Sequence, residues 1–531
     1  MDCKAIRIPY SQTLAFTRIT TDYLDQADAL KPFFTHAPTL DGIRNAIEAK
    51  KNHKVNRNLL ADVLKKQYKE LNSDITSKQI ELLRSEKTFT ITTAHQPNIL
   101  TGPLYFLYKI AHAIKLASHL KEKFSDHNFV PVYYMGSEDA DLEELGHLHI
   151  DGVKYEWATK QRGAVGRMKV DREFLQLLDR VEGRIGVLPN GKDIMPKMRS
   201  FFREGVLIQD AMFLLVHELF GEEGLIVLLP DEPSLKRELI PVFKDDLLSE
   251  KPSELVEATI SEIDHAGYKV QANPRSINLF YLKDDIRNRI EKIGEDFVVV
   301  DTDIRFSQSQ LLDELEHHPD RFSPNVILRG IFQETILPNI AFIGGGGELA
   351  YWLQYRNLFS HYKVPLPVLV LRNSFLIVEN ETHQAIEKLG LEVSDFFRHE
   401  QDILNTIVTR DSVNEVRLNG TLQEAATFYE ELKKKAEVID PTLSRHVESL
   451  RTQAVKRLVE LEKKMLRAEK RKYSDQSRQV QALKSRLFPS GSLQERHENF
   501  LYFYGIWGKE FIKLIHKNSQ ALESEFTILI N

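Results

Sequence analysis

His95 and Asn98 stand three apart at the end of a β-branched run, Thr88-Phe89-Thr90-Ile91-Thr92-Thr93-Ala94, just before a helical pattern that starts at Leu104. A donor side chain at a strand end, followed by the free N–H groups of the next helix, is an arrangement that holds nucleotide phosphates. Thr101 or Gly102 can cap that helix, and Pro103 suits its first turn. The plainer reading is that His95 and Asn98 only tie down loop backbone. A second group, Glu138, Asp139 and Asp141, follows a buried strand at 128–135. Carboxylates there can take a substrate ammonium, sugar hydroxyls or Mg²⁺. Glu143 and Glu144 fit the simpler role of acids in a first helical turn. Gly344, Gly345, Gly346 and Gly347 lie between a strand-like and a helical segment, and Glu348, Tyr351 and Trp352 follow. Glycines let backbone approach a ligand closely, but no Gly-Lys-Ser/Thr follows, so this is not a P-loop. Arg329, Glu334, Arg372 and Asn373 complete the set; an arginine near a strand end either clamps a carboxylate or forms an ordinary ion pair.

These residues need a parallel sheet to bring them together. Strand at 88–95, helix from 104 and strand at 128–135 make a βαβ unit. Leu107, Ile110, Ile114 and Ala117 give the helix an apolar face. The reading divides the chain into a mainly helical segment at 1–87, a first core half at 88–150 and connecting α/β insertions with further core strands at 151–320. A second core half with the glycine loop follows at 321–420, then a long helix at 421–487 and a returning segment at 488–531. From Leu443 to Ala468 apolar residues recur every three or four positions, a heptad-like seam that predicts a helix over 441–487. Residues 451–486 carry twelve Lys/Arg against four Asp/Glu, which reads as the charged outer face of a coiled coil.

Composition excludes several classes. At 531 residues the chain is too long for one core. A net charge of −6 does not suit coating nucleic acid. One cysteine, Cys3, permits neither an intramolecular disulfide nor a cysteine zinc site, and His147 with His149 lacks a third ligand, so no resident metal is expected. No apolar stretch is long enough for a membrane span, and a cytoplasmic protein is expected.

Several blocks in order carry a family resemblance. His95–Asn98 is similar to the HxGH signature of class I synthetases and nucleotidyltransferases, with Pro97 in place of the glycine. Leu100-Thr101-Gly102-Pro103-Leu104-Tyr105 with Lys109, Glu138-Asp139-Ala140-Asp141-Leu142, the block from Pro324 to Glu348, and Gln494-Glu495-Arg496 resemble the motifs of the bacillithiol-biosynthesis cysteine-adding ligases, the BshC family. Ala140 stands where that family has a histidine.

The resemblance implies an α/β fold: a Rossmann-like, class I synthetase-like core with inserted connecting segments and a C-terminal coiled coil that makes a homodimer. It implies addition of L-cysteine to glucosaminyl-malate by amide formation, the last step of bacillithiol biosynthesis. ATP or another adenine nucleotide would activate the cysteine carboxylate as an adenylate, with Mg²⁺ as a candidate companion. On that reading His95, Asn98 and Asp139 are catalytic. His95, Asn98, Thr101, Gly102 and Gly344–Gly347 bind nucleotide. Tyr105, Glu138, Asp139, Asp141, Arg329, Glu334, Glu348, Tyr351, Trp352, Arg372 and Asn373 bind substrate, the two arginines being matched to malate. Rivals are a related ligase or nucleotidyltransferase with another acceptor, and a coiled-coil adaptor that only senses a nucleotide.

Overall fold

The computed structural model describes residues 3–71, 73–269, 274–413 and 417–531. The chain folds into two units. The first runs to Ser11 and includes Ala15–Leu376 and Ser492–Leu529; the second holds Gln12–Leu14, Ile377–Gly491 and the last two residues.

The first unit is organised by a five-stranded sheet: β1 (Thr88–His95), β2 (Asn128–Met135), β3 (Ile226–Leu228), β4 (Asn339–Gly344) and β5 (Val368–Leu371). All its pairings are parallel, and the spatial order is β5-β4-β1-β2-β3. The chain therefore builds outward from β1 in one direction, then returns to build in the other. The reversal lies between β1 and β4, where Thr93 pairs with both Tyr133 and Ile343. In open parallel sheets the carboxyl ends at such a reversal form the ligand crevice.

Every residue of β1 is buried, as expected for a central strand covered on both faces. Its threonines are satisfied inside the sheet: Thr90 Oγ1 donates to Asn339 Oδ1 at 3.2 Å and Thr93 Oγ1 to the Ile343 carbonyl at 2.9 Å. Helix α1 (Tyr105–Lys123) covers one face. There Ala113, Leu116, Ala117 and Leu120 pack with Phe89, Ile91, Ile340 and Ile343. Two further helices matter to the site: α2 (Val326–Ile336), ahead of β4, and α3 (Gly346–Trp352), after it.

Two insertions interrupt the sheet. Between β2 and β3 lies a hairpin, His147–Ile150 with Val153–Glu156, followed by helices. Between β3 and β4 the segment from 279 to 324 forms a second five-stranded sheet whose pairings are antiparallel. Asp296–Val299, which its apolar run marks only as a buried strand, belongs to this antiparallel sheet.

The second unit contains a helical hairpin, α4 (Asn419–Ile439) and α5 (Leu443–Lys470), joined by three residues. The single helix expected over 441–487 is broken by a 3₁₀ turn at Arg471–Tyr473, after which α6 (Ser474–Leu487) begins. α5 runs along α4 and also touches the helix Glu400–Asp411, on which α6 packs.

Candidate active site

The loop from β1 to α1 carries three consecutive residues with positive φ: Leu100 (49°), Thr101 (73°) and Gly102 (61°). This turn folds Asn98 back onto Gly102, where an added Cβ would lie only 2.7 Å from the Asn98 Cβ. Asn98 is consequently buried beneath the loop and does not reach the crevice. Thr101 and Gly102 do not cap α1: its first residue is preceded by Leu104, with no side-chain cap bond. The far end of the chain holds this loop. Leu104 N–H donates to the Glu498 carbonyl at 2.8 Å, and Asn499 Nδ2 donates to the carbonyls of Leu100 (2.9 Å) and Gly102 (2.5 Å).

At the β1/β4 reversal lies a cavity of about 450 Å³. Of the residues singled out from sequence it gathers His95, Tyr105, Asp139, Arg329, Gly345, Gly347, Glu348, Tyr351 and Arg372. Gln96, Glu144, Phe280, Arg287, Asn325 and Arg496 also line it.

His95 Nδ1 lies 3.0 Å from the Gln96 carbonyl, and Nε2 lies 3.2 Å from the Tyr105 hydroxyl. A carbonyl only accepts, so Nδ1 carries the proton and Nε2 accepts from Tyr105. Desolvation, with the Lys109 ammonium nearby, pushes the imidazole down to about 3. His95 is therefore a neutral acceptor, not the phosphate donor its position suggests. Because the unfolded histidine titrates near 6.5, the folded state binds fewer protons below that pH. Its stability contribution is complete above 6.5 and is lost as pH falls toward 3. A ¹⁵N-histidine titration should show His95 neutral at pH 5.5; an imidazolium signal there would contradict the assignment.

Three carboxylates line the cavity, and two are committed. Glu348 lies 2.5 Å from Lys109 Nζ and accepts the Gly345 N–H at 2.8 Å. Desolvation opposes its charge, but these contacts hold it below the usual carboxylate range. Asp139 accepts from Gln96 Nε2 at 2.9 Å and lies 3.5 Å from Arg287 Nη1. Desolvation is again outweighed, and Asp139 stays low.

Arg287 reaches the cavity from the antiparallel sheet, its guanidinium 4.0 Å from the Phe280 ring centroid. Arg372 lines the cavity but is already neutralised: Nη2 lies 2.7 Å from Glu495 Oε1, Nη1 donates to the Asn373 carbonyl and Ser374 Oγ, and the guanidinium covers the Tyr105 ring. Arg329, carried on α2, has no carboxylate within ion-pair distance among the described residues, although burial by itself works against its charge. Tyr351 stands beside it.

The other expected site residues are placed elsewhere. Glu138 pairs with buried Lys236. Lys236 also lies 2.9 Å from Asp231, which Arg167 grips bidentately at 2.6 and 2.8 Å. Desolvation raises Asp231, but the two cations bring it down to about 2. Asp141 caps a short helix through the Glu144 N–H at 3.1 Å. Glu334 is buried with Lys50, Gln333 and Asn339. Trp352 stacks on Phe342 at 4.4 Å. Asn373 accepts the Gln520 N–H at 2.9 Å. Gly344 and Gly346 lie outside the cavity lining, against Phe342 and Thr20 respectively.

Arg287 and Gln96 carry no site role in the sequence, and Arg496 appears there only within the C-terminal block of the family resemblance. Arg287 sits among alternating charges on a hairpin, and nothing local distinguishes it from a solvated arginine. Among the described residues no group of three or more His, Cys, Asp or Glu side chains is placed to hold a metal ion, and no helix is long and apolar enough to cross a membrane.

Residues 1–373 match the family description "Bacillithiol biosynthesis BshC, N-terminal Rossmann-like domain", and residues 375–530 match "Bacillithiol biosynthesis BshC, C-terminal coiled-coil domain". A "Putative cysteine ligase BshC" of Flavobacterium johnsoniae is 38% identical over 98% of this chain and 99% of its own length. A relative of the same description from Cytophaga hutchinsonii is 36% identical over 94% of this chain and 93% of its own. A solved structure titled as an arginyl tRNA synthetase from Campylobacter jejuni aligns over 82% of this chain and 94% of its own, at a TM-score of 0.23 and 8% identity, too distant to carry an argument. With both domain descriptions matched in order and relatives aligned end to end, the chain belongs to the BshC family of bacillithiol biosynthesis.

Proposed function

We propose that this protein is a cytoplasmic ligase that joins the carboxylate of L-cysteine to the amine of glucosaminyl-malate, the last step of bacillithiol biosynthesis. One observation carries the reading. The cavity at the sheet reversal sets guanidiniums, including Arg329 without a carboxylate partner, against the carboxylates of Asp139, Glu144 and Glu348. Both substrates combine an amine with carboxylates, and this wall-to-wall charge pattern is their complement. The family's relatives are described as cysteine ligases, which supports the same chemistry.

Amide formation from a free carboxylate is uphill in water, and ATP would supply the activation of the cysteine carboxyl. The donor set fits a polyanion: Arg287, Arg329 and Arg496 all face the cavity and would hold its phosphates or the malate carboxylates. Mg²⁺ would enter on the nucleotide, since the described residues offer it no ligand cluster. His95 and Tyr105 form a rigid, uncharged floor that orients the reacting groups. Metabolite analysis of a deletion strain tests the proposal: glucosaminyl-malate accumulates and bacillithiol disappears. Undiminished bacillithiol in that strain would overturn it.

The helical unit supports a homodimer. Phe428 on α4 and Leu450 and Leu461 on α5 are exposed, and the two leucines share one face of α5, an apolar surface suited to a second copy. Leu461→Lys, at an exposed position of α5, should convert dimers to monomers in sedimentation velocity. A dimer that survives the substitution would place the interface elsewhere.

A further inference from the structure

Glu144 is the cavity carboxylate left without a partner. Asp139 is tied to Gln96 and Arg287, and Glu348 to Lys109 and the Gly345 N–H. No hydrogen bond or ion pair reaches the Glu144 side chain among the described residues; only its backbone N–H is used, by the Asp141 cap. The short helix Leu142–Leu145 thus fixes its backbone while leaving its carboxylate facing the cavity. Its titratable neighbours are Asp141, Asp139 and His147, and it stands close enough to Tyr105 to act on the hydroxyl that bonds His95. Partial burial, then the two aspartates, raises this acid above its ordinary range. The carboxylate is exposed and lines the cavity, so a substrate cation can reach it.

We propose that Glu144 receives the amine of the acceptor sugar, binding it as the ammonium and then accepting its proton. The inference rests on the ligase reading given above. In the step, one N–H bond of the ammonium breaks, the proton passes to a Glu144 carboxylate oxygen, and the electron pair stays on nitrogen. The neutral amine is then the nucleophile, and the protonated Glu144 returns its proton to solvent. Asp139 and Glu348 are less suited, because their paired cations hold them as weak bases.

Binding calorimetry without cysteine or nucleotide tests this. The probes are glucosaminyl-malate and its N-acetylated form, which keeps both carboxylates but cannot carry an ammonium. The wild-type protein should favour the free amine by about tenfold or more, and Glu144→Gln should erase that preference while binding the N-acetylated form unchanged. In amide formation Glu144→Gln should lower kcat on the order of 100-fold and remove the acid limb of the pH profile, with partial recovery in Glu144→Asp. A wild-type protein indifferent to acetylation, or a Glu144→Gln variant that keeps the preference, would overturn the assignment and leave the ligase reading standing. A wild-type protein that binds neither probe would overturn the ligase reading and Glu144's role with it.

Discussion

Replacing Lys236 with methionine is expected to destabilise the first unit by about 3–5 kcal/mol, the usual cost of stripping one partner from a buried charge group. Lys236 is fully buried and faces two carboxylates, Glu138 and Asp231, while also donating to the Asp320 carbonyl at 3.2 Å. Its removal leaves Asp231 with Arg167 and takes the paired ammonium from Glu138. The cluster ties the end of β2 to the segment after β3 and to the antiparallel sheet, so the damage is expected to spread to Asp139, the residue next to Glu138. Thermal unfolding should show a midpoint several degrees lower. The triple variant Lys236→Met, Glu138→Gln, Asp231→Asn should recover part of that loss, because no charge is then left buried alone. An unchanged midpoint in Lys236→Met would mean that the cluster does not hold these segments together.

Arg329→Ala is expected to act on turnover instead of folding. Its guanidinium faces the cavity without a carboxylate partner, and a charge-assisted hydrogen bond to a substrate carboxylate or phosphate contributes about 1.5–3 kcal/mol. The corresponding loss in kcat/KM is on the order of 10- to 100-fold, and Arg329→Lys should recover only part, since lysine cannot present the planar fork. The unfolding midpoint should stay near wild type. The contrast with Arg372 is informative. Arg372 is matched to Glu495 inside the fold, so Arg372→Ala should damage both stability and activity. Equal kcat/KM values for wild type and Arg329→Ala would remove Arg329 from the anion-binding wall.

The sheet was legible because its signals are local. The threonine-rich run of β1, the apolar face of α1 and the glycines after β4 each declare themselves within a dozen residues. The crevice followed from placing those elements in one parallel sheet. What stayed hidden depends on distant chain. Asn98 has the spacing of a phosphate ligand, yet three left-handed residues at 100–102 turn it under its own loop. That turn is held by Asn499, some four hundred positions away. Arg372 looks like a carboxylate clamp until Glu495 is seen beside it. Glu138 reads as a ligand because the lysine that neutralises it lies about a hundred residues downstream. Glu144 shows the converse. Its type and position suit a first-turn helix acid, and only the packed structure shows that among the described residues no cation pairs with it.

A cavity that joins cysteine to an amino-sugar acceptor with consumption of a nucleotide leaves a direct signature in its products. Purified protein should be incubated with L-cysteine, glucosaminyl-malate and ATP, and the products followed by mass spectrometry. A new species is expected at the sum of the two substrate masses less one water, formed only when all three reactants are present, and lost in Arg329→Ala at low substrate. Formation of the amide at the same rate without ATP would contradict nucleotide activation, and no amide under any condition would contradict the ligase itself.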